Sequence, residues 1–433
     1  MTDDNTNPIG LSRRRVLGGI GAIGVASAGA GLGTTAFFSD SESFENNTLT
    51  AGELDLRVQY EASYDSDGAV ENMADSAMGT QDGDPAGVFY DLQDVKPGDS
   101  GHVQFCFEIV DNPSYMWACG DLMQDENGMN EPEMAVDDTP DTSELAESID
   151  ARLVYCETDD NEIIEGEEIV SGSLADVLVA ISTGAALDGD GVAGLLPGEQ
   201  SPHDTVVEPE EGLDFITGAC VCLFWELPYE VGNEVQSDSL TMDFEFYALQ
   251  SRHNDGTTNP CADQTVVTQY DNDWKGGSIA NPTEGDVYTS VSFGDDQVFL
   301  SFTFDDDNDG VDFLDTADYS STNLPVVIDA DADGTHDWQL IWQPNAGFPD
   351  APFGYAENTG SSYSSPMALP AGFSAAKFGN TIVFGVPRTE ISSTFRVLAY
   401  GSTGGEGPVA KVNADPAVGP DFYDSSDAVE FSE

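Results

Sequence analysis

Two aspartate-rich segments are the residues best suited to chemistry in this 433-residue chain. Asp305-Asp306-Asp307-Asn308-Asp309-Gly310-Val311-Asp312 and Asp329-Ala330-Asp331-Ala332-Asp333-Gly334-Thr335-His336-Asp337 both set carboxylates at alternate positions ahead of a glycine. Calcium takes oxygen ligands, and positions one, three and five of such a run wrap the ion while the glycine makes the sharp turn. The candidate ligands are Asp305, Asp307, Asp309 and Asp312 in the first segment, and Asp329, Asp331, Asp333 and Asp337 in the second. Neither segment has the glutamate that closes an EF-hand at position twelve; Thr316 and Leu340 stand there. The second has Asp337 at position nine and lies between Val326-Val327-Ile328 and Trp338-Gln339-Leu340, the pattern of a strand–loop–strand site. The competing reading is an acidic surface turn in a chain where aspartate is abundant.

Catalytic patterns are missing. The histidines are His102, His203, His253 and His336, each isolated in sequence, and no nucleophile elbow, metalloprotease helix, phosphate loop or dinucleotide fingerprint occurs. A secreted hydrolase working with two carboxylates is the weakest alternative, because any two acids of so acidic a chain would serve. The chain is therefore read as non-catalytic. The six cysteines, Cys106, Cys119, Cys156, Cys220, Cys222 and Cys261, match no common zinc spacing and read as disulfide candidates; six allow 15 pairings. Cys220 and Cys222 share one face of an expected strand, and Cys106 opposes the face of Val103, Phe105, Phe107 and Ile109. Aromatic residues gather at Trp338, Trp342, Phe348, Phe353, Tyr355 and Tyr363. They would either stack on glycans or, for the two tryptophans, fill a core.

The elements that must carry these residues are mostly strands. Glu53–Tyr60, Gly87–Leu92, His102–Val110, Ala151–Cys156 and Cys220–Leu227 are expected strands, and Ser239–Gln250 alternates apolar Leu240, Met242, Phe244, Phe246 and Ala248 with polar neighbours. Leu174–Ile181 reads as a short helix over one end. Residues 120–148 read as an acidic surface insertion. After a polar junction at 251–263 cysteine disappears, and strands recur at Asp286–Phe293, Gln297–Phe304, Leu324–Ile328, Trp338–Trp342, Thr381–Val386 and Phe395–Tyr400. The expected fold class is all-β, with two β-sandwich, jelly-roll-like domains at 37–255 and 256–433.

Composition narrows the partners. The chain holds 81 acidic and 12 basic residues, and hydrophobic residues make up 39%, enough for true cores. Beyond residue 36 the basic residues number nine against 79 acids, so nucleic acid and anionic membrane surfaces are unsuited partners. Molar salt shrinks the Debye length to ~3 Å and relieves such self-repulsion. The balance therefore fits an extreme halophile, as in halophilic archaea. The acidic C-terminal stretch Phe422–Glu433 has no apolar tail to serve as an anchor.

The first 56 residues point to export. Arg13 and Arg14 lie in Ser12-Arg13-Arg14-Arg15-Val16-Leu17, a twin-arginine pattern ahead of an uncharged Gly- and Ala-rich run to Thr35. Residues 1–36 read as a signal peptide cleaved after Ala36 or nearer Ala28. Retention as a membrane anchor is the alternative, although a span needs about 20 apolar residues. Asn46-Asn47-Thr48 is a glycosylation sequon.

Ala36-Phe37-Phe38-Ser39-Asp40, the Asn46-Asn47 pair, Thr50-Ala51-Gly52-Glu53-Leu54-Asp55-Leu56 and the turn Val95-Lys96-Pro97-Gly98-Asp99-Ser100 together resemble the TasA/camelysin family. That resemblance implies an exported β-sandwich subunit of a cell-surface or biofilm-matrix fibre. Its partners would be other copies or other surface proteins, joined when Phe37–Tyr60 adds to a neighbour's sheet edge. Val298-Phe299-Leu300-Ser301-Phe302, Asn380–Pro387 and Phe395–Tyr400 resemble DOMON and family-9 carbohydrate-binding sandwiches, which implies a second module for glycans or calcium.

Overall fold

Strands dominate because β-branched and aromatic residues recur with period two between Gly, Pro, Asn and Asp turns. The structure is a computed structural model describing most of residues 55–433. Residues 1–54, 67–68, 73–78, 83–91, 93, 111, 129, 132, 137–142, 160–161, 206–218, 271–284, 305–323, 344–351, 361–362, 403–407 and 412–427 lie outside the described residues. The leader with Arg13, Arg14 and Ala36, the sequon, most of the expected strand at Gly87–Leu92, Phe348 and the segment with Asp305, Asp307, Asp309 and Asp312 thus fall outside them.

The chain begins with β1 (Asp55–Ser66), β2 (Ala69–Asn72), β3 (Gly79–Asp82), β4 (Ser100–Val110) and β5 (Ser114–Glu126). Helix α1 (Leu145–Ser148) precedes β6 (Asp150–Asp159) and β7 (Glu162–Ser173), and α2 (Leu174–Ile181) precedes β8 (Ala185–Leu187), β9 (Cys220–Glu226) and β10 (Ser239–Gln250). Then follow β11 (Gln264–Tyr270), β12 (Gly285–Phe293), β13 (Gln297–Phe304), β14 (Leu324–Asp329), β15 (Trp338–Trp342) and β16 (Phe353–Glu357). The last are β17 (Ser374–Phe378), β18 (Thr381–Pro387), β19 (Thr394–Ser402), β20 (Pro408–Lys411) and β21 (Val429–Ser432).

Four antiparallel sheets result. A seven-stranded sheet runs β2-β1-β4-β9-β6-β7, with β3 also on β1. It shares an apolar core with the three-stranded sheet β10-β5-β8. A five-stranded sheet β11-β12-β13-β18-β17 encloses a second core with the six-stranded sheet β16-β15-β14-β19-β20, which β21 joins through β19. The all-β, β-sandwich-like class is thus observed.

The two halves are joined by a helix and by a disulfide. Helix α2 buries Leu174 and Val177 through Ile181, apolar almost all round, because it packs on β5, β6 and β7 on one side and on β17 and β18 on the other. Phe299, Ala376 and Val383 accordingly belong to the first core. A disulfide links Cys119 on β5 to Cys261 ahead of β11. Residues Leu54–Glu433 form one compact unit.

Several elements differ from their expected bounds. Residues 120–126, expected in a surface insertion, complete β5, whose Met116 and Ala118 are fully buried. Its opposite face is buried too, at Trp117 and Cys119, so no apolar–polar alternation marks it. Strand β1 pairs along its length with β4, from Asp55 opposite Val110 to Asp65 opposite Ser100. Residues 55–60 therefore serve their own sheet, and any strand donated to a neighbour must come from before Asp55.

Candidate metal centre

The second aspartate segment is the hairpin loop between β14 and β15, where Ile328 sits opposite Trp338. Both flanking strands are buried throughout, which fixes the loop at the edge of the second core. Asp329 ends β14 and is 1% exposed, whereas Asp331 and Asp333 face solvent. One carboxylate oxygen from each of these three residues lies within 4.8 Å of the others. The turn that gathers them needs left-handed backbone at Ala332 (φ 56°) and Gly334 (φ 93°), and glycine takes that conformation without strain.

Backbone donors hold the carboxylates in place. Asp329 accepts from the amides of Asp333 (3.1 Å) and Gly334 (3.0 Å), and Asp331 also accepts from Asp333 (3.1 Å). Asp333 accepts from Thr335 at 2.7 Å. Asp337 closes the loop by accepting from Ala330 at 2.8 Å. Burial, reinforced by the carboxylates of Asp331, Asp329 and Asp333, pushes the Asp337 carboxyl above its ordinary range, partly offset by the Ala330 amide. A divalent cation would neutralise this concentration of negative charge with oxygen ligands. Leu340, at position twelve, is fully buried between the sheets, so water would have to complete the shell. Asp331, Asp337, Thr389, Glu390 and Ser392 line an open groove beside the loop.

The remaining candidates resolve as follows. Four cysteines lie on the face of the seven-stranded sheet opposite the first core, where Cys220 on β9 is in register with Cys156 on β6 and Cys222 with Gln104 on β4. The pairs formed are Cys106–Cys220 (Cα–Cα 4.4 Å) and Cys156–Cys222 (Cα–Cα 5.9 Å), beside Cys119–Cys261, so no cysteine is free. The expected common face of Cys220 and Cys222 is observed, and so is the expected placement of Cys106 opposite the Phe105 and Phe107 face. Three disulfides fit an oxidising extracellular compartment. No helix among the described residues is long and apolar enough to cross a membrane.

Trp338 and Trp342 are 5% and 1% exposed and belong to the second core, packed with Phe353 and Tyr355. They fill the interior rather than present a flat face for sugars. Of the histidines, His203 is fully buried, with its ring edge-on to Phe107 at 5.6 Å, and His102 lies 2.6 Å from the Ser63 hydroxyl. Neither belongs to the carboxylate cluster.

Sequence reasoning passed over a second polar site, a cavity between the two halves lined by Trp117, Ser290, Ser301, Thr303 and Thr381. Its signal was the alternation of Tyr288, Ser290 and Ser292 with Val287 and Val291, which puts hydroxyls on a face that a single sandwich would leave to water. No protein-family model matches the chain, and no curated protein matches it.

Proposed function

We propose that this is an exported, non-catalytic structural protein of a cell surface or extracellular matrix in concentrated salt, whose copies join through their sheet edges. The observation that carries the reading is β10. It is twelve residues long and, among the described residues, pairs with β5 alone. Its core-side residues Leu240, Met242, Phe244 and Phe246 are only partly covered. A long edge with unpaired backbone groups and apolar side chains invites strand addition from another chain. The proposed donor is residues 37–50 of the next copy, ahead of β1. The disulfides and the strongly acidic composition support the extracellular, high-salt setting. The test is deletion of residues 37–50 from the mature protein, followed by electron microscopy at molar salt. Fibres should vanish while the melting temperature of the subunit holds; unchanged assembly overturns strand donation.

The clustering of Asp329, Asp331 and Asp333 favours a second reading, in which the same protein holds calcium at the β14–β15 loop. Calorimetry of the full chain with calcium should give a binding heat that disappears in Asp329→Asn plus Asp333→Asn. No heat with the unaltered protein rejects this reading and leaves the first untouched.

A further inference from the structure

We propose that the cavity between the two halves is a binding site for a halide ion, chloride in the protein's natural salt. The inference rests on the high-salt setting proposed above, but not on strand addition or on the aspartate loop. It offers about 50 Å³ to small solutes, on the scale of a monatomic ion with a few waters. Its walls come from both halves: Trp117 from the outward face of β5, and Ser290, Ser301, Thr303 and Thr381 from the facing surface of the five-stranded sheet.

The chemistry of the lining selects an acceptor. Trp117 is 1% exposed, and its indole Nε1–H, a group that only donates, meets no acceptor among the described residues. A buried donor left in that condition is costly, so an acceptor belongs beside it. Thr303 and Thr381 share one hydrogen bond between their hydroxyls at 2.9 Å. Whichever hydroxyl accepts keeps its own proton to give elsewhere. Ser290 and Ser301, 5% and 3% exposed, add two further hydroxyls.

Charge points the same way. None of the described lining residues is an aspartate or glutamate, in a chain with 81 of them, and none is a lysine or arginine. A cation would meet no formal negative charge in this lining, whereas an anion would meet the Trp117 indole N–H and hydroxyls that can turn a proton toward it. The long-range repulsion of an anion by the acidic surface is screened at high ionic strength. Because the ion would touch both halves, its binding should stabilise the folded unit.

Two measurements on the full-length mature protein test this. In crystals grown from sodium bromide, anomalous diffraction should show one bromide peak in the cavity, near Trp117 Nε1. In solution, the melting temperature should be higher in sodium chloride than in sodium gluconate at equal ionic strength, and the difference should saturate with chloride concentration. Trp117→Phe keeps an aromatic ring, smaller than indole, but removes the donor, and Thr381→Val keeps the shape but removes a hydroxyl. Each should abolish most of the chloride-specific shift; using both guards against one variant failing to fold. Water alone in the cavity, equal melting in the two salts, or an undiminished shift in both variants would overturn the proposal.

Discussion

Among the described residues, His203 is the group most clearly sensitive to acid. Its backbone pairs with Ser114 in both directions, at 2.8 and 3.0 Å, so the ring is held inside. Burial drives its pKa down from 6.5 to about 4; the Ala219 backbone and the carboxylates of Asp188, Asp190 and Asp204 offset only part of that. The unfolded chain takes up a proton near pH 6.5, while the folded one resists until about pH 4. Stability from this group is therefore intact above pH 6.5, falls as pH drops through that window, and is lower by roughly 3 kcal/mol at its foot. Urea unfolding between pH 7 and 4 should show this slope, and His203→Phe should flatten it. An identical slope in the variant would assign the acid sensitivity to carboxylates instead. The residue types were legible in sequence, but nothing local distinguishes His203 from His253, which is exposed. Burial of a polar ring is decided by what packs over it.

Among elements, α2 matters most because both halves depend on it. Ser173 starts it with a capping box: its hydroxyl accepts from the Asp176 amide at 3.0 Å and its own amide donates to the Asp176 carboxylate at 3.1 Å. The bounds Leu174–Ile181 were readable from this start and from the apolar run. The second partner was not, since an all-apolar helix shows that it is covered on every side without naming what covers it. Leu178→Ala removes a side chain that is 1% exposed and should cost about 2–5 kcal/mol. Because α2 contacts β5, β6 and β7 as well as β17 and β18, denaturant unfolding should remain a single transition at a lower midpoint. Two separated transitions would show that the halves unfold independently.

At the scale of the whole molecule, charge governs the setting. Among the described residues, ion pairs join Arg57–Glu108, Lys96–Asp94, Arg152–Glu165, Arg388–Glu433 and Arg396–Glu430. Apart from Arg57–Glu108, whose glutamate is buried, these pairs lie at the surface and contribute at most about 1 kcal/mol each, too little to offset the repulsion among the remaining acids. The melting temperature should therefore rise steeply as salt increases from ~0.1 M to molar concentrations, as the Debye length falls from ~10 to ~3 Å. A flat profile in thermal melts would remove the argument for salt adaptation.

The sequence alone determined the all-β class, the strands at Ser239–Gln250, Gln297–Phe304 and Trp338–Trp342, and the aspartate hairpin, because period-two patterning and turn chemistry are local properties of the chain. Tertiary structure alone decided which cysteine joins which. Cys220 stands opposite Cys156 in register yet bonds to Cys106, and only the packed sheet makes that pairing. It alone also turned Trp338 and Trp342 inward and set a hydroxyl-lined pocket beside Trp117. Those outcomes depend on surfaces brought together from distant parts of the chain, and local pattern does not encode distance in space.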